Sequence, residues 1–129
     1  MLAVAAGLAI AEPAEEEEGP SNSVEILQAP QPLYPMTAAI LGIEGRCEVR
    51  FNLLGGGTIV DIDEIACTHP IFCGVSRDAV RNARFRVIDV PGAAYSGERE
   101  NIVYPLEFKM SEHEVDWPPG ETCASDLVS

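Results

Sequence analysis

The chain reads as an α+β domain: a three-stranded antiparallel or mixed sheet with two helices on one face, in the order α-β-β-α-β. Three observations predict it. From Cys47 to Leu53, apolar residues alternate with Arg46, Glu48, Arg50 and Asn52, the period of a strand with one buried face. The same alternation returns in Ile102, Tyr104, Leu106, Phe108 and Met110. Before the first run and between the two, apolar residues recur at helical spacing.

Residues 1–11 are uncharged and apolar, too few to span a bilayer, and end Ala9-Ile10-Ala11. They read as a secretory signal cleaved after Ala11, or as the remnant of a membrane anchor. Either would carry the rest of the chain across a membrane. Residues 12–30, with four consecutive glutamates and then Gly19-Pro20-Ser21, read as an acidic disordered linker. The domain proper is expected over 31–110.

Its first helix opens at Pro35, where a missing N–H does no harm, and closes at Gly42, which is free to take positive φ. Met36, Ala39, Ile40 and Ile43 form the apolar stripe expected to face the core. The first strand comes next, then Gly55-Gly56-Gly57 as a hairpin turn. In the second strand, Thr58 to Ala66, the parity of Ile59 and Ile65 differs from that of Val60 and Ile62, which predicts a bulge near Asp61. Asp61 and Asp63 read as a solvated strand face rather than a metal site, since no further ligands gather nearby.

Cys67-Thr-His-Pro-Ile-Phe-Cys73 leads to the second helix, and the two cysteines are expected to close it as a local disulfide in an exported chain. Zinc on Cys67, His69 and Cys73 lacks a fourth ligand, and the spacing is not that of a C-x-x-C redox pair. Cys47 reads as a small buried hydrophobe. Cys123 has no evident partner.

The second helix is predicted over Ser76–Phe85, capped by Ser76. Val75, Ala79, Val80 and Ala83 face inward, and Arg77, Arg81 and Arg84 face outward. The basic face is either solvated or a hold for the chain's own acidic tails. Val87 to Glu100 reads as a loop and Asn101 to Met110 as the third strand. Residues 111–129 read as a disordered acidic tail. Neither flank has an apolar period to pack, so losing residues 12–23 and everything after Ser111 is expected to leave the domain folded.

The net charge of −13 belongs to the flanks. Six acids precede Gln31 and five lie beyond Met110, while residues 31–110 hold all 8 cations against 10 acids. That argues against nucleic acid or an anionic membrane as partner. No Ser/His/Asp or Cys/His set and no phosphate loop is evident, so no catalysis, cofactor or metal is expected. A strand–helix–strand crossover usually returns parallel. The third strand is therefore expected beside the first, in spatial order 2-1-3, as an open edge suited to strand addition.

Gln31-Pro32-Leu33-Tyr34-Pro35, a short helix and Ile43-Glu44-Gly45 opening a strand resemble the C-terminal domain of TonB, the periplasmic energy transducer. The resemblance continues through the glycine turn, a helix ending Arg84-Phe85-Arg86 and a last strand ending Leu106-Glu107-Phe108. It implies that Gln31, Pro32, Tyr34, Pro35, Asn101, Val103, Pro105, Glu107 and Lys109 bind a partner. That partner is the TonB box peptide of outer-membrane TonB-dependent transporters. Inner-membrane motor proteins are further partners where an anchor exists, and the fold also allows a homodimer by strand exchange. The alternative is a non-energised periplasmic adaptor. Where the family commonly has an arginine after its YP and a tryptophan in its second helix, this chain has Met36-Thr37 and Ala83.

Overall fold

Residues 23–89 and 97–128 are described by a computed structural model. Their elements are β1 (Ser23–Gln28), α1 (Met36–Leu41), β2 (Gly45–Leu54), β3 (Ile59–Cys67), α2 (Cys73–Asn82), β4 (Arg84–Ile88), β5 (Arg99–Phe108), β6 (Glu121–Thr122) and α3 (Ser125–Val128). The sequence-predicted signal, and most of the linker and of the loop before β5, lie outside the described residues.

The fold is α+β with antiparallel sheets. A four-stranded sheet runs β5-β2-β3-β6, and a separate ribbon pairs β1 with β4. The three strands read from the sequence are thus neighbours within a larger sheet, and the described residues form six strands in two sheets rather than three in one. Alternation dictates the buried face. Cys47, Val49, Phe51 and Leu53 of β2 are fully buried, as are Ile65 of β3 and Leu106 of β5. Phe72 stacks on Phe108 with ring centroids 4.4 Å apart, and α2 adds Ala79 and Val80. Each large side chain fully removed from water contributes about 1.5–3 kcal/mol.

The bulge expected near Asp61 is present and centres on Asp63, where the register of β3 against β2 slips between Glu64 and Ile62. Several expectations are corrected. The second helix ends at Asn82, because Ala83 turns extended (φ −72°, ψ 163°). Arg84-Phe85-Arg86 belongs to β4, whose Phe85 and Val87 are buried while its other residues are exposed. Ser76 caps nothing: the helix begins three residues earlier, and Ser76 is buried within it. The linker's last residues form β1, whose Glu25 pairs with Arg86 of β4.

The stripe assigned to α1 is not its buried face. Met36 and Ile40 are 76% and 75% exposed, and Ala38 is the buried residue. This helix spans less than two turns and is fixed at its ends. The Tyr34 hydroxyl donates to the Ile43 carbonyl at 2.6 Å, and Ile43 N–H donates to Ala38 O at 2.8 Å. Those ties, not the apolar period, set its rotation.

The cysteines pair as Cys47–Cys67 and Cys73–Cys123, so the expected Cys67–Cys73 bond does not form and neither Cys47 nor Cys123 is free. Cys47 and Cys67 are directly opposite on β2 and β3, with Cα atoms 4.0 Å apart. Register brings them together. Cys73 opens α2 and meets the C-terminal segment instead.

That segment is a folded strap and not a disordered tail. Glu121 and Thr122 pair with Cys67 and Ala66. Cys123 N–H donates to Ile65 O at 2.7 Å. The basic face of α2 holds the strap by its backbone: Arg77 Nη1 donates to Leu127 O at 3.1 Å and Arg81 Nη2 to Val128 O at 3.2 Å. These carbonyls sit at a helix C-terminus, where cations are favoured. Among the described residues, no helix is long and apolar enough to cross a membrane.

Candidate functional site

β5 has ten residues and one neighbour, β2, so among the described residues its other side is an unpaired sheet edge. The side chains of Tyr104, Leu106 and Phe108 point into the core, while Val103 is 43% exposed and Pro105 and Glu107 are half-buried on the solvent side. Pro105 stands opposite Glu48. Lacking an N–H, it suits a position whose backbone faces away from the neighbouring strand. Val103 and Glu107 share its parity and therefore present their N–H and C=O groups to the open side as well.

Asn101 differs from the other edge residues. Its φ is +58°, the ladder between β2 and β5 slips beside it, and its N–H donates to Asn52 Oδ1 at 3.0 Å. Asn52 in turn donates to Asp63 Oδ2 at 3.1 Å. The Asn101 amide is thus committed within the sheet, and the extended edge begins after it.

Gln31, Pro32, Tyr34 and Pro35 lie in the segment between β1 and α1. Gln31 and Pro32 line a groove of about 340 Å³ against α2, with Val75, Asp78 and Asn82 on its other wall. Tyr34 is an internal tie. Its ring meets Phe72 and Phe108 edge-on at 6.0 and 5.9 Å, and its hydroxyl is bonded to Ile43. Burial, with the Glu44 carboxylate as a smaller cause, pushes its phenol above the ordinary value. Pro35 precedes α1 with extended backbone. Tyr34 is joined to β5 through Phe108.

The far end of β5 is engaged by residues that the sequence reading placed in a tail. Trp117 Nε1 donates to Glu107 Oε2 at 3.1 Å, and Lys109 Nζ donates to His113 O at 2.7 Å. Met110 N–H donates to Glu44 Oε2 at 2.8 Å, and His113 Nε2 lies 3.0 Å from Glu44 Oε1. The Met110 amide is the main reason that the Glu44 carboxyl sits below the ordinary glutamate range, with His113 and Lys109 assisting against partial burial. The even number of cysteines was the signal that this segment folds back, since it leaves Cys123 a partner.

An unpaired sheet edge is the kind of surface to which an extended peptide can add through main-chain hydrogen bonds. No curated protein matches the chain. The family model described as Gram-negative bacterial TonB protein C-terminal matches residues 30–110. The match spans the elements from α1 to β5 and leaves β1, β6 and α3 outside. The chain belongs to the Gram-negative bacterial TonB protein C-terminal family.

Proposed function

We propose that this chain is a periplasmic binding domain that takes up the TonB box of outer-membrane transporters as an added strand on β5, for energy transduction to active transport. The observation that carries the reading is the open edge of β5, with Val103, Pro105 and Glu107 at its centre. The domain acts by binding and pulling and not by catalysis. Inner-membrane motor proteins are its partners where an anchor precedes the domain, and strand exchange through the same edge is its route to a homodimer.

Pro105 deprives the edge of one donor. An incoming strand therefore forgoes about one net hydrogen bond, roughly 0.5–1.5 kcal/mol. That gap also discourages casual edge-to-edge pairing. Titration of a TonB-box peptide against the parent chain and Pro105→Val tests the reading by amide chemical shifts. Amides of Val103 and Glu107 are expected to respond in the parent, and the variant is expected to bind more tightly or to self-associate. A folded protein whose β5 amides do not respond to the peptide refutes it.

A further inference from the structure

α1 turns outward the apolar residues whose spacing predicts a core face. Met36, Ile40 and Leu41 are 76%, 75% and 65% exposed, and Leu33, three residues before the helix, is 78% exposed. Met36, Thr37, Ile40 and Leu41 stand at i, i+1, i+4 and i+5, so they share one side of the helix. The other side carries Ala38, fully buried. The ties at Tyr34 and Ile43 hold the helix in this rotation, and its apolar side stays toward water. At roughly 100–150 Å² apiece, the four large apolar side chains make a patch of about 500 Å², near the upper end for a monomer and of the size that marks an interaction site.

Charge narrows the choice of partner. From Val24 to Ile43 the chain has one charged residue, Glu25, and it pairs with Arg86. The patch therefore has no cation to hold it on an anionic membrane and no charge with which to select a charged protein. An uncharged apolar face suits another of its kind. Leu33 also lines the groove of about 340 Å³ against α2, so the ridge of the helix has a hollow beside it. A surface with both can fit a second copy of itself across a two-fold axis. Two copies of the patch would bury about 1,000 Å², the lower limit for a specific interface.

We propose that Leu33, Met36, Ile40 and Leu41 form the contact of a reversible two-fold homodimer of this chain. Met36 and Ile40, at i and i+4, supply the ridge that packs against its counterpart. The unbranched thioether of Met36 adapts to the irregular hollow beside Leu33 of the other copy. Each copy carries a net charge of −13 and no ion pair spans the contact, so salt tightens it by screening the repulsion. The contact uses none of Val103, Pro105 and Glu107 and is separate from strand exchange through β5. Where β5 takes up a strand as proposed above, the dimer presents two such edges, and a paired partner gains from binding both.

The test is sedimentation of the full chain, disulfides intact, from about 1 μM to about 1 mM, the range in which so small an interface associates. A monomer–dimer equilibrium is expected, shifted toward dimer by added salt. Amides of residues 36–41 and the Met36 methyl group are expected to shift on dilution. Met36→Glu and Ile40→Glu, both at exposed positions, should keep the parent melting temperature and weaken the dimer by about 30-fold or more. Titrating Ile40→Glu with the TonB-box peptide separates the dimer from strand addition: β5 amides that respond in this variant leave strand addition standing whatever the fate of the dimer. Four results each overturn the proposal: a chain monomeric throughout, a dimer that survives both glutamate variants as strand exchange would, a dimer that salt dissociates, or a monomer that binds zwitterionic lipid vesicles and loses them with Ile40→Glu.

Discussion

Replacing Cys73 and Cys123 together by alanine tests whether the strap is structural. Alanine is chosen because both positions are buried and a serine hydroxyl there would lack a partner. The bond closes a loop with a sequence separation of 50. In the chain-entropy account, its loss releases about 4 kcal/mol of constraint on the unfolded state. Against a total stability of about 5–15 kcal/mol this is a large fraction. The melting temperature should fall on the order of 10–20 °C. Thermal unfolding followed by circular dichroism without thiols gives the first readout. The second is hydrogen exchange at the amide of position 123, which donates to Ile65 O at 2.7 Å. That amide is expected to lose its protection before the β2 amides do. A melting temperature within about 2 °C of the parent, with slow exchange at position 123, would show that β6 and the Arg77 and Arg81 contacts hold the strap unaided.

Four further outcomes are expected. Gly57→Ala should destabilise by about 1–3 kcal/mol in urea titrations, since φ is +106° and a Cβ would stand 2.6 Å from the Phe85 carbonyl oxygen. Gly42→Ala, at φ +71° with open space around it, should lose only about 1 kcal/mol. Tyr34→Phe should lose about 0.5–1.5 kcal/mol with its hydroxyl bond to Ile43 while peptide binding at β5 is unchanged, and a binding loss without a stability loss would return Tyr34 to the binding surface. The folded Glu44 carboxyl is depressed, so its contribution is present above the ordinary glutamate value and lost as pH falls through the folded one. Glu44→Gln should therefore flatten the decline of urea midpoints below about pH 4.5, and parallel profiles would refute the role given to Met110 N–H.

The period-two runs determined β2 and β5 by themselves, because alternation over ten residues leaves a strand one way to bury Val49, Phe51, Leu106 and Phe108. Turn chemistry was equally local: Gly42 and the triple glycine hold positive φ as their sequence demanded. β4 was legible in principle, since Arg84-Phe85-Arg86-Val87 alternates, but the helical period of the preceding residues extended over it. Only the tertiary structure decided the rest. Cysteine pairing depends on strand register and on where the chain's end returns, and neither is a local property. Cys47 meets Cys67 because the β2–β3 hairpin sets them opposite. Residues 111–128 have no apolar period, yet they fold through contacts distant in sequence: one disulfide, a two-residue strand, and two arginines on α2 that hold the carbonyls of Leu127 and Val128. The rotation of α1 was likewise settled from outside, because six residues carry too little apolar surface to overrule the ties at Tyr34 and Ile43.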